Sequence, residues 1–311
     1  PPEEGRWDGE GMKILITGGT GFIGSNLTIK LIHNGHDVSI TGRDAEQKLP
    51  SFKGKFIIGD LRDIDWKLAG TFDVLFHEAA NNDTTVLERE LMFKTNMEAS
   101  QKLFEYAVQN GCKKVVYASS TAVYGDVSPP YKESGPFHPL NPYGESKLAL
   151  DEFAMDFAKK NPAITVVGLR YCNVYGPREN HKGSRASMIY QIAEQMKSGN
   201  PKIFKHGEQK RDYIYVSDAV RANLLASEAK VSGIYNCGFG AATSFNDVIK
   251  ILNNVLGLSR EPEYIDNPYA GRYQSFTECD MSLAKEKLGF IPEFNIEKGI
   301  RDYYKSGFLT G

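Results

Sequence analysis

The chain has 311 residues, 41% of them hydrophobic and 24% charged, with a formal net charge of -2. That length and balance supply a substantial core and exclude a disordered chain, and the near-neutral charge excludes the broad basic face that nucleic acid or an anionic membrane would need. No apolar run approaches the roughly 20 residues of a membrane span, and the polar opening Pro1 to Gly11 lacks a signal peptide's apolar core, so a cytoplasmic protein with a disordered tail over residues 1–11 is expected. Cys112, Cys172, Cys237 and Cys279 stand far apart without metal-ligand spacing. They are expected to be reduced, buried thiols, and no metal is expected.

From Met12 onward, short apolar runs alternate with longer amphipathic stretches, the pattern of a parallel sheet wrapped by helices. Strands are expected at Lys13–Thr17, Asp37–Thr41, Lys55–Ile58, Val74–His77, Lys114–Ser119 and Thr165–Arg170. The first runs through Thr17-Gly18-Gly19-Thr20-Gly21-Phe22-Ile23-Gly24 into a helix over Phe22–Asn34 that stops at Gly35. Glycine permits a tight turn and close ligand approach, while a helix N-terminus offers free amides and partial positive charge to a pyrophosphate. Gly18, Gly21, Phe22, Ile23 and Gly24 are therefore candidate dinucleotide contacts. Their spacing is G-x-x-G-x-x-G rather than the usual G-x-G-x-x-G, and a plain packing turn is the alternative.

Where an acidic residue usually ends the second strand and takes the ribose 2′-hydroxyl, Thr41-Gly42-Arg43 stands instead. An arginine suits a 2′-phosphate, so Arg43 points to NADP, with NAD as the alternative. Asp60-Leu61 and His77-Glu78-Ala79-Ala80 follow the third and fourth strands, at the carboxyl ends where an open α/β sheet binds ligands. Asp60 is a candidate adenine contact or a plain turn residue. Leu61, His77, Ala79 and Ala80 are further candidate cofactor contacts, as is Asn96 in a helix expected over Leu91–Gln109.

Tyr143 and Lys147 lie four residues apart. On a helix this puts an ammonium beside a phenol, with Cβ atoms roughly 5–6 Å apart. An adjacent cation favours the phenolate, which can take a proton from an alcohol while hydride leaves the same carbon. After Tyr171 the alternation loosens, with helices expected at about Met188–Lys197, Asp218–Glu228, Ser244–Leu256, Met281–Leu288 and Ile296–Lys305. The fold expected is α/β, a Rossmann-type doubly wound parallel sheet with a smaller α/β substrate-binding lobe. The dinucleotide-binding domain takes 12–172 with a return segment near 213–238, and the substrate lobe takes 173–212 and 239–311.

Taken in order, the glycine loop, Ala118-Ser119-Ser120-Thr121-Ala122-Val123-Tyr124-Gly125, Asn141-Pro142-Tyr143-Gly144-Glu145-Ser146-Lys147 and Arg170-Tyr171-Cys172-Asn173-Val174-Tyr175-Gly176-Pro177-Arg178 resemble the extended short-chain dehydrogenase/reductase family. The resemblance spans Met12 to about Tyr304 and implies an NAD(P)-dependent enzyme acting on a nucleotide-diphosphate sugar. It implies that Ser120 is the catalytic hydroxyl beside Tyr143 and Lys147, with Ser119 as its rival. Within the family, the stretches Tyr175 to Ser184, Lys210 to Asp218 and Gly271 to Thr277 are similar to the branch that epimerises heptose nucleotides. That implies an isomerase that oxidises a carbinol to a ketone and reduces it from the opposite face.

On the same resemblance Lys182 is the second acid/base partner, its alternative being a solvated loop lysine. Arg211 and Arg272 take diphosphate oxygens, and Asn173, His181, Ser184 and Tyr273 contact substrate. The chain departs from the pattern at Arg43, Asn180 and Arg185. A dehydratase needs Asp-Glu just after the catalytic hydroxyl, where Thr121 and Ala122 can neither donate nor abstract the proton. A nucleotide-sugar 4-epimerase, an NADPH-dependent reductase and a non-catalytic dinucleotide sensor stay open. Pairing of the helices over Leu91–Gln109 and Tyr143–Lys159 across subunits would give a homo-oligomer.

Overall fold

The computed structural model describes residues 11–43, 49, 52–268 and 274–309. Expectations for the 1–11 tail, apart from Gly11, and for Arg272 and Tyr273 fall outside the described residues. The chain opens with β1 (Lys13–Thr17), α1 (Phe22–His33), β2 (Asp37–Gly42), β3 (Lys55–Ile58) and β4 (Val74–His77). There follow α2 (Arg89–Phe93), α3 (Ala99–Gln109), β5 (Lys114–Ser120), α4 (Pro142–Lys160) and β6 (Thr165–Tyr171). Beyond these come β7 (Asn173–Tyr175), α5 (Met188–Ser198), β8 (Lys202–Phe204), β9 (Lys210–Tyr215), α6 (Val216–Glu228) and β10 (Gly233–Cys237). The last are β11 (Ala242–Ser244), α7 (Phe245–Leu256), β12 (Glu263–Ile265), α8 (Ser282–Leu288) and α9 (Ile296–Lys305).

Seven strands form one parallel sheet in the order β3-β2-β1-β4-β5-β6-β10. Successive side chains of a strand point to opposite faces. Ile14, Ile16, Val74, Phe76, Val116 and Ala118 therefore share one core with Leu27 and Leu31 of α1 and Ala219, Ala222 and Ala226 of α6. Leu15, Leu75, Val115 and Tyr117 take the other face, against Leu103, Phe104 and Ala107 of α3 and Leu150, Ala154 and Phe157 of α4. Burial on both faces is why these strands read as almost unbroken apolar runs. Each large side chain so buried contributes about 1.5–3 kcal/mol.

The chain passes from β3 on one side of β1 to β4 on the other, so strand order reverses between β1 and β4. At such a reversal the loops beyond the strands' carboxyl ends diverge and leave a crevice. After β6 the chain builds a three-stranded sheet, β11-β9-β7, whose Tyr175, Tyr213 and Tyr215 pack with Ile189 and Ile192 of α5, Val248 of α7 and Ile300 of α9. It returns to the large sheet through α6 and β10, and Ala284 and Leu288 of α8 rejoin the first core.

The helix expected over Leu91–Gln109 is interrupted by a π-helical turn at Lys94–Glu98. The wider turn accompanies the inward placement of Asn96, whose side chain bonds Asn81 and Ser146. All four cysteines are buried and free of disulfides. Among the described residues no helix is long and apolar enough to cross a membrane.

Candidate active site

The glycine loop joins β1 to α1 through backbone geometry that side chains would obstruct. Gly18 adopts φ +66°, and a Cβ there would lie 2.9 Å from the Ala79 amide nitrogen. A Cβ on Gly24 would come within 2.1 Å of the Gly18 carbonyl oxygen. The Gly21 amide donates to that same oxygen at 2.8 Å and closes the turn. Helix α1 begins without a side-chain cap and without an acidic residue in its first turn. Its amide end is therefore open to an anion, which fits the pyrophosphate of a dinucleotide.

At the head of β5, Ser120 accepts from the Ala122 amide at 3.1 Å and lies close enough to the Tyr143 phenol to lower its pKa. Helix α4 starts close by, with Asn141 accepting from the Gly144 amide at 2.9 Å. A Cβ on Gly144 would sit 2.6 Å from the Ala122 carbonyl oxygen, so glycine lets the first turn of α4 lie against the Ser120 turn. Of the two rival serines, Ser120 is the one that acts on the Tyr143 phenol, whereas the Ser119 hydroxyl is buried without a hydrogen-bond partner among the described residues. One turn on, Lys147 is 2% exposed, donates to the Ala118 carbonyl at 2.7 Å and lies 5.9 Å from the centre of the Tyr143 ring.

Burial brings the Lys147 ammonium down to about 8, against the opposing pull of Glu78 and Asp151. Burial raises the Tyr143 phenol, nearby Ser120 lowers it, and the charge of Glu78 raises it by less. The chain's own groups thus hold this tyrosine above its ordinary value; the phenolate is expected from Lys147 together with an oxidised nicotinamide.

His77 and Asn96 lie inside the protein rather than on the crevice wall. His77 is 2% exposed, with Nδ1 at 2.7 Å from Thr17 Oγ1 and Nε2 at 2.7 Å from Ser100 Oγ. Ser100 gives its proton to the Asn96 carbonyl at 2.8 Å, so His77 Nε2 is the donor to Ser100, and Thr17 donates to Nδ1. Burial, then the charge of Lys147, pushes this imidazole down to about 3 and keeps it neutral. Asn96 donates to Ser146 Oγ at 3.1 Å, and Ser146 donates to the Tyr143 carbonyl at 2.8 Å. The network runs from the end of β1 to the first turn of α4.

Asp60 makes a turn and grips Arg62 with both oxygens, at 2.7 and 3.1 Å. These bonds hold its carboxyl below the usual range, with Arg43 adding a smaller favourable charge. Leu61 is buried in the core, Arg43 is exposed beyond β2, and Ala79 and Ala80 are half-buried beyond β4.

On the smaller lobe, Asn173 donates to the Asp212 carbonyl at 3.0 Å and Thr277 Oγ1 at 3.1 Å, tying β7 to its neighbours. Arg211 is 7% exposed on β9, and its guanidinium donates to the Lys210 carbonyl at 2.9 Å. His181, Lys182 and Ser184 occupy a tight turn over Asn180–Arg185, with His181 and Ser184 exposed. Lys182 Nζ lies 5.3 Å from the Phe22 ring, so it reaches from the smaller lobe to the start of α1. Its surroundings lower its ammonium from the ordinary lysine value, chiefly by burial, with Glu179 opposing.

Two carboxylates matter here that motif reading left out. Glu179 is fully buried and accepts from the Gly176 amide at 3.1 Å, the Ser187 amide at 2.6 Å and the Ser187 hydroxyl at 2.9 Å, closing the loop that carries Lys182. Glu78 accepts the Tyr171 hydroxyl proton at 2.9 Å, and Asn223 donates to the same hydroxyl at 2.6 Å. Burial pushes Glu78 up to about 7. Its one sequence signal is an acidic residue directly after a wholly buried strand.

Residues 14–238 match the NAD dependent epimerase/dehydratase family. The chain is 38% identical to the ADP-L-glycero-D-manno-heptose-6-epimerase of Alkalilimnicola ehrlichii over 309 residues, 93% of this chain and 96% of that one. The crystal structure of the Helicobacter pylori ADP-L-glycero-D-manno-heptose-6-epimerase is similar at a TM-score of 0.90 and 37% identity, covering 97% of this chain and 99% of that one. The UDP-N-acetylglucosamine 4-epimerase of Methanobrevibacter ruminantium, solved with UDP-N-acetylmuramic acid, follows at 0.88 and 30%, covering 96% and 98%. The glycine loop, the Ser120, Tyr143 and Lys147 cluster and this likeness over nearly the whole chain agree: the protein belongs to the NAD dependent epimerase/dehydratase family.

Proposed function

We propose that the chain converts ADP-D-glycero-D-manno-heptose to its L-glycero epimer, with NADP as the preferred dinucleotide. The observation that carries this reading is the cluster of Ser120, Tyr143 and buried Lys147 at the head of the large sheet, with Lys182 reaching to the start of α1 from the smaller lobe. A nicotinamide dinucleotide held by the glycine loop and the start of α1 would supply a reversible hydride acceptor. Tyr143 takes the hydroxyl proton of the carbinol as its carbon loses hydride, and Ser120 holds the oxygen of the resulting ketone. Lys147 keeps a positive charge behind the phenol. Once the ketone has turned, hydride re-enters on its other face and Lys182 supplies the proton to oxygen, later exchanged back through solvent.

In this reading residues 12–172 with the return near 213–238 hold the dinucleotide, and 173–212 with 239–311 close on the sugar. Arg43 takes the 2′-phosphate, Arg211 and Arg272 take the diphosphate, and Asn173, His181, Ser184 and Tyr273 line the sugar site. A homo-oligomer joined through α3 and α4 and a cytoplasmic location belong to the same reading. The 38% identity to a heptose epimerase supports the substrate. A 4-epimerase is the second reading, favoured by the M. ruminantium likeness and by the same Ser120, Tyr143 and Lys147 chemistry.

Incubating the protein with a panel of nucleotide hexoses and heptoses, without added NADPH, separates the two by the stereochemistry of the product. Inversion of the heptose nucleotide is expected. Turnover confined to C4 of hexoses would replace the first reading with the second.

A further inference from the structure

Glu78 is an ionisable side chain that the chemistry above leaves unused. It follows β4 directly, and the sheet order β1-β4-β5 sets it between the glycine loop at the end of β1 and Ser120 at the end of β5. Its amide donates to the Thr17 carbonyl at 3.2 Å, and a Cβ on Gly18 would lie 3.2 Å from its carbonyl carbon. His77 pairs with Tyr117, so Glu78 stands level with Ala118, whose carbonyl holds Lys147.

The carboxyl is also fixed from beneath. Asn223, fully buried on α6, donates to the Ala219 carbonyl at 2.9 Å and to the Tyr171 hydroxyl at 2.6 Å. The Tyr171 hydroxyl in turn donates its one hydrogen bond to Glu78 Oε1. This relay favours an ionised carboxylate. Direct activation of the phenol does not account for that charge, because it raises Tyr143 and so opposes a phenolate, although it helps to keep Lys147 an ammonium.

A dinucleotide whose pyrophosphate sits on α1 and whose reacting ring meets Ser120 and Tyr143 has to cross the head of β4. That ring is positively charged when oxidised and neutral when reduced. A nearby carboxylate therefore stabilises one form and leaves the other almost untouched. We propose that Glu78, held by Tyr171 and Asn223, sets the redox preference of the bound dinucleotide, so that the protein binds the oxidised form more tightly than the reduced one. The preference rests on the family's nicotinamide site and serves an epimerase directly: each turnover then closes with the cofactor oxidised and the hydride back on the sugar.

The test is competition titration of the purified protein with oxidised and reduced dinucleotide at about pH 8, where Glu78 is largely ionised. Facing Glu78 are Lys147 and Tyr143 from α4, Tyr171 from β6 and Cys237 from β10; E78Q keeps these side chains but removes the charge that raises each of them, and the resulting loss of Lys147 charge would favour the oxidised ring, against the change expected. The wild type is expected to favour the oxidised form. E78Q, which keeps the shape and an oxygen for Tyr171, should cut that preference about tenfold by weakening oxidised binding. Y171F, which loses the proton donor to Glu78, should move the ratio the same way by less, and it decides the matter if E78Q does not fold. Unchanged ratios with both forms still bound would overturn the assignment and leave the cofactor site standing. Failure of the wild type to bind either form would overturn both.

Discussion

The head of the large sheet and the loop from Gly176 to Ser187 both carry a lysine of lowered basicity, but they hold it in different ways. Lys147 projects from a 19-residue helix packed on two sheet strands, is 2% exposed and donates a hydrogen bond to a strand carbonyl. Lys182 sits on a short turn that is closed by one buried carboxylate, Glu179, and touches the large domain at Phe22. Regular backbone fixes the first; a few side-chain bonds fix the second. The contrast teaches where a single substitution should act on chemistry alone and where it should also act on geometry.

Tyr143→Phe tests the rigid side most severely. It should lower kcat about 10³-fold, within the range for a removed acid/base group, while dinucleotide binding persists. Full activity in a stopped assay of the heptose nucleotide would remove Tyr143 from its role. Lys182→Met should cost about 10²-fold in kcat with cofactor still bound. A wild-type rate would make Lys182 a solvated loop residue.

The pH profile probes Lys147. Its folded value of about 8 lies below that of an ordinary lysine, so the ammonium is complete below that point and lost as pH rises through it. The rate constant kcat/KM should therefore fall about tenfold per unit on the alkaline side. Lys147→Arg, which stays charged, should remove that limb at a reduced rate. Survival of the limb in the arginine variant would assign it to another group.

Glu179→Gln bears on the loop side of the contrast. It leaves a buried donor of the loop unpaired, at a cost of about 1–3 kcal/mol, and should lower kcat about tenfold without changing dinucleotide affinity. An unaltered rate would mean that the loop positions Lys182 without this carboxylate. The smallest effect is expected from Arg43→Asp. It should shift relative affinity from NADP toward NAD by about tenfold or less, and equal ratios before and after would remove the argument for a 2′-phosphate contact.

The legibility of the two regions differs for the same reason as their rigidity. Four expected ranges, Lys13–Thr17, Lys55–Ile58, Val74–His77 and Ile296–Lys305, coincide with the elements observed. Strands buried on both faces need long apolar runs, and α9 needs one strongly apolar stripe, so composition and period reveal them. The three-residue strands β7, β8, β11 and β12 are too short for any period to register. Ser120, Tyr143 and Lys147 were readable because they stand at fixed offsets within local segments. The burial of His77 and Asn96, the capture of Asp60 by Arg62 and the meeting of Glu78 with Tyr171 were not, since each depends on partners brought in by other elements.

By itself the sequence determined the doubly wound sheet, the glycine turn and the helical spacing of phenol and ammonium, because backbone sterics and hydrophobic period act within a few residues. Only the tertiary structure decided which charges those groups meet. Electrostatic environment in a buried site is set by atoms from β4, β6 and α6 that converge over a few ångströms while lying 145 residues apart along the chain from Glu78 to Asn223.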